Sequence, residues 1–107
     1  MKLLVPLTAL SLMAGSLYTH IAHATTTADP NLARNLAATC AGCHGTNGKA
    51  IPGAGMHSLA GTDKVRIRQQ LADYKSGVMP ATIMHQIAKG FTDEQLDLIT
   101  AYFAAQK

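Results

Sequence analysis

Cys40 and Cys43 stand three positions apart with His44 directly behind them, and the chain has no other cysteine. Two thiols and an imidazole at this spacing serve a disulfide, a metal site or a covalently held cofactor. A Cys-x-x-Cys redox pair belongs with a βαβ pattern, and no convincing strand pattern occurs anywhere in the chain. So short a loop would also gain little from closure, because the stabilisation grows with the length enclosed. Structural zinc needs four ligands; beyond His44 only His57 and His85 follow, with no closely spaced histidine pair. Attachment of c-type haem asks only for what is present. The two thiols add to the vinyl groups on one porphyrin edge, and the next residue carries an imidazole beneath the iron. The pattern predicts one haem c held through Cys40 and Cys43, with His44 as an axial ligand.

Whether the other axial position is filled separates electron transfer from chemistry on a small ligand. Met56, Met79, Met84, His57 and His85 all have the reach, since an extended chain covers about 3.3 Å per residue. Met84 follows the Pro80 break, in a segment whose Ile83 and Ile87 would cover a haem face. For Met56 and Met79 the ordinary fate is gap-filling in an apolar core, and for the two histidines a polar, partly exposed position. Thioether and imidazole donors also suit copper, but no spacing here demands an accessory site.

These residues must be positioned by a small domain. Met1 and Lys2 precede an apolar run from Leu3 to Leu17, and Ala22-His23-Ala24 forms a small-x-small site. The pattern predicts a secretory signal over residues 1–24, cleaved after Ala24 and leading to the periplasm. The run is interrupted by Pro6, Ser11 and Ser16 and is shorter than the roughly 20 apolar residues of a membrane span. Residues 25–107 then form one domain with no membrane span. A domain of roughly 80 residues is close to the lower limit for a core to suffice alone. Tryptophan is absent and the aromatics of this part are Tyr74, Phe91, Tyr102 and Phe103, so a large flat cofactor would supply missing core. The formal charge of the whole chain is only +3, too small to indicate nucleic acid as a partner. Lys64, Arg66 and Arg68 are read as a solvated helix face rather than a docking rim.

The fold expected is all-α, with about four helices. Asp29-Pro30 reads as a cap and first helical residue, with Leu32, Ala33, Leu36 and Ala37 on one face and an end near Thr39. Glycines from Gly42 to Gly61 predict a wrapping loop, in which a short helical turn fits. A second helix starts at Thr62 or Asp63, buries Ile67, Leu71 and Tyr74, and stops at Gly77. A short piece covers Thr82 to Lys89, with Gly90 as terminator. The last helix opens with a Thr92/Gln95 capping box and a Phe91–Leu96 staple, and buries Leu96, Ile99 and Phe103.

The stretches "LAATCAGCHGTNG", "YKSG", "ATIMHQIAKGFTDEQ" and "AYFAAQK" resemble those of class I cytochromes c. The nearest likeness is to the single-haem cytochrome subunits of flavocytochrome c sulfide dehydrogenases, and it covers nearly all of residues 25–107. The resemblance implies thioether links at Cys40 and Cys43, His44 as the proximal ligand and the methionine of "TIM", Met84, as the distal one. Met79, in "VMPATIM", is the alternative to Met84. It also implies a backbone carbonyl near Ile51 or Pro52 as the partner of the second His44 nitrogen. The function implied is one-electron transfer with an FAD-containing sulfide dehydrogenase flavoprotein subunit as partner, and no catalytic residue on this chain. A free-standing carrier to an oxidase or reaction centre, and a five-coordinate haem sensor or enzyme, are the other readings.

Overall fold

A computed structural model of the chain describes residues 28–107; the expected leader and its cleavage site lie outside the described residues. Helix α1 (Leu32–Ala37) runs through a 3₁₀ turn (Ala38–Cys40) into α2 (Ala41–His44). A second 3₁₀ turn (Thr46–Gly48) opens a long loop, followed by α3 (Lys64–Ser76), α4 (Met84–Lys89) and α5 (Asp93–Ala104). Because α1 and α2 form one continuous helical stretch, the molecule has the four helical bodies expected, and no strand among the described residues.

The first helix departs from expectation at both ends. It begins after Asn31, because Asp29 folds back as a turn: its carboxylate accepts the Asn31 N–H at 2.8 Å and its carbonyl that of Leu32 at 3.0 Å. At the other end the helical backbone passes Thr39 and carries the whole Cys40–His44 segment. Gly42 does not break it, since a helical glycine costs only about 1 kcal/mol. Leu32 stays 41% exposed, and Leu36 and Ala37 make the contact with the core.

The two longer helices follow their signals. The Asp63 side chain accepts the Arg66 N–H at 3.0 Å to cap α3, and Gly77 ends it in the left-handed region. Thr92 and Gln95 complete both hydrogen bonds of the capping box on α5, which satisfies two otherwise orphaned donors. Gly90 behaves differently from expectation. Its φ is −73°, so α4 ends without a left-handed glycine.

Ala37, Ile67, Leu96, Ile99 and Phe103 form the core, with Leu36, Leu59, Leu71, Phe91 and Tyr102 packed around it. α5 packs against α1 and α3, and α3 against α4. Arg68 is partly buried and joins α3 to α5, 2.7 Å from Asp97 and 3.4 Å from Asp93. Lys75 adds a bond to Asp93 at 3.1 Å and to the Phe91 carbonyl at 2.8 Å. Lys75, then Arg68, hold the Asp93 carboxyl below its usual range. A lowered carboxylate pKa contributes stability above its ordinary value and loses it as pH falls through the lowered one; at so exposed a side chain the contribution is small.

Gly48 is a tightly packed point near the motif. Its φ is +79°, and a Cβ there would lie 2.7 Å from the Phe103 ring and 3.0 Å from the Ala60 nitrogen. Gly48→Ala is expected to lower stability by about 2–4 kcal/mol, combining left-handed strain with overpacking. Denaturant unfolding of the two proteins measures the difference.

Candidate functional site

Cys40 and Cys43 lie in unbroken helical backbone, since Cys40 itself has φ −83° and ψ −17°. Residues three apart on a helix share a face, so both thiols approach one side of the segment. Neither is in a disulfide. Cys40 is half-buried against the core and Cys43 is exposed. Burial pushes the Cys40 thiol up, the Thr39 hydroxyl 3.8 Å away lowers it in part, and Cys43 adds to the rise. Cys40 is therefore a neutral thiol at ordinary pH.

The helix stops immediately behind His44. Gly45 takes φ +80°, and a Cβ there would collide with the Lys49 carbonyl. The chain turns back at this point, which leaves the imidazole at the end of α2. His44 Nδ1 lies 2.7 Å from the His57 carbonyl oxygen. A carbonyl only accepts, so Nδ1 carries the proton and Nε2 presents its lone pair. The expected partner near Ile51 or Pro52 is thus corrected to His57. The Ile51 carbonyl is already taken, accepting the Ala54 N–H at 3.1 Å to close a turn.

Beside the motif a cavity of about 320 Å³ is lined by Gly42, Cys43, Ile51, Ala54 and Met56, among others. Ile51 is 73% and Met56 47% exposed, and a Cβ added at Gly42 would meet nothing within 4 Å. An apolar wall with small residues beside the Cys43 thiol, with Cys40 three positions away on the same helical stretch, suits a flat apolar cofactor attached through sulfur, so these residues fit a haem.

Of the other candidates, three lie on α4 or in the connection leading to it. Met84 is the first residue of α4 and half-buried; Met79, also half-buried, sits in the α3–α4 connection with its N–H on the Asp73 carbonyl at 3.1 Å. His85 is part-buried, and its Nδ1 is buried without a hydrogen-bond partner. His57 has an exposed side chain and contributes only its carbonyl. Among the described residues no three His, Cys, Asp or Glu side chains are placed to share a metal ion. No helix of the described residues is long and apolar enough to cross a membrane.

Residues 31–107 match the family model described as Cytochrome c. The chain is 41% identical over 71 residues to the cytochrome subunit of sulfide dehydrogenase of Chlorobaculum tepidum, covering 64% of this chain and 60% of that one. It is 39% identical over 69 residues to the thiosulfate dehydrogenase electron acceptor of Stutzerimonas stutzeri, covering 64% of this chain and 32% of the relative. Cytochrome c4 of Pseudomonas aeruginosa is 35% identical over 89 residues, covering 83% of this chain and 43% of its own. The chain thus spans less than two thirds of the length of each of these three relatives.

Proposed function

The chain belongs to the cytochrome c family, as a class I c-type cytochrome of the kind that binds haem c covalently, and from that premise we propose that it is the haem subunit of a periplasmic sulfide dehydrogenase. In this reading residues 1–24 are the removed leader and residues 25–107 the working domain. The observation that carries the reading is the helical Cys40–Cys43 pair ending in an imidazole whose Nδ1 is already committed to the His57 carbonyl.

Cys40 and Cys43 would hold the haem through thioether links, and His44 would offer Nε2 to its iron. The His57 carbonyl fixes the tautomer and raises the basicity of the ring. The Met84 sulfur would be the second protein donor to the iron of a bound haem, with Met79 as the alternative. When bound, the haem supplies a one-electron iron couple. Ile51 and Met56 would cover the face of a bound haem beside Cys43, and this reading assigns no acid, base or nucleophile to the chain. The partner is an FAD-containing flavoprotein subunit that oxidises sulfide. The 41% identity to a subunit bearing that enzyme's name supports this choice.

Similarity to a thiosulfate dehydrogenase electron acceptor and to a cytochrome c4 favours a second reading, a free-standing carrier. Untagged purification from the native host separates the two. The first expects a flavin-containing chain to travel with this one through successive columns, and recovery as a lone monomer supports the second.

A further inference from the structure

The partner of His44 is itself held from the C-terminal helix. Tyr102, on α5, donates its hydroxyl to Asn47 Oδ1 at 2.7 Å. Asn47 has φ +55°, a left-handed conformation that asparagine adopts more readily than most side chains. The next residue, Gly48, offers its carbonyl to three donors: Ser58 Oγ and Leu59 N at 2.8 Å, and Ala60 N at 3.0 Å. Those donors flank the peptide unit joining His57 to Ser58, whose oxygen accepts the His44 proton at 2.7 Å. Gly61 N–H on the Phe103 carbonyl at 2.9 Å ties the far end of the same segment to α5.

We propose that Tyr102 is a positioning residue for the proximal imidazole, acting through Asn47, Gly48 and the Ser58–Ala60 segment to aim the His57 carbonyl at His44 Nδ1. The proposal rests on His44 as the iron ligand. The Tyr102 hydroxyl is bonded to Asn47 and not to the imidazole; it pins the Asn47 turn, and the turn sets the direction of the Gly48 carbonyl. A well-aimed acceptor makes the imidazole more electron-rich, which favours the oxidised iron. Loosening it moves the midpoint potential upward.

The test uses the haem-loaded protein and Tyr102→Phe, which keeps the ring against Phe103 and removes only the hydroxyl. The His44 ring N–H is expected to exchange with solvent about tenfold faster by NMR, the scale of one neutral hydrogen bond, and the potential to rise. Asn47→Gly should give the same two shifts, and the double variant no more than either single one. Thr92→Ala removes the cap of α5 away from this relay and should move neither reading while lowering stability. Wild-type exchange and potential in Tyr102→Phe, or equal shifts in Thr92→Ala, would overturn the proposal. The underlying ligand assignment has its own check: denatured wild-type protein must retain chain-bound haem absorbance, and native His44→Ala protein must lose the six-coordinate spectrum.

Discussion

Exchanging Cys40 and Cys43 together for serine is expected to produce a chain that has lost most of its helical signal at room temperature. Among the described residues the large, nearly inaccessible apolar side chains are only Ile67, Leu96, Ile99 and Phe103, with Ala37 and Ala88 as the remaining buried apolar residues. A domain this small buries a reduced share of its unfolded surface. The apolar wall beside Cys43 needs a cover, and α4, itself only six residues long, has no independent means of stability because short helices are marginal in water. Far-UV circular dichroism is the measurement. Native helix content in the double serine chain would show that the protein core suffices and that the cofactor is an addition to a finished fold.

The second large effect belongs to the axial ligand. Met84→Ala is expected to raise the affinity of the ferric protein for added cyanide by several powers of ten, since each 1.4 kcal/mol of ligand bond no longer displaced is worth about tenfold. The weak red-edge absorbance of an iron–methionine bond should disappear in the same variant. Met79→Ala should keep both the absorbance and the low affinity, because that side chain lies in a connection next to exposed Val78 rather than on a helix. The opposite pattern would transfer the ligand role to Met79, and fast, tight binding in the wild type would point to a five-coordinate sensor.

Local signals foretold what local energetics decide. Asp63, Gly77 and the Thr92/Gln95 box mark the helix ends they occupy because each satisfies backbone groups a few residues away. The stripe of Leu96, Ile99 and Phe103 is buried as its spacing requires. What could not be read depended on distant neighbours or on backbone atoms. The apolar periodicity ended near Thr39 and the glycines from Gly42 onward suggested a loop, yet Gly42 remains helical and the turn waits for Gly45, where a Cβ would collide with the Lys49 carbonyl. His57 was noticed for its side chain, whereas its contribution is a carbonyl that any residue would possess. Arg68 read as solvated face, and its pairing with Asp97 spans 29 positions of sequence.

The packing of Gly48 beneath Phe103 bears on how the molecule is made. α1 rests on α5, and the turn behind His44 is secured by side chains near the extreme C-terminus. Joining ends so far apart along a polypeptide requires nearly the whole strand to be available first. Until α5 arrives the turn behind His44 lacks both of these tethers, so the imidazole gains its fixed orientation only once the polypeptide through Phe103 has been made.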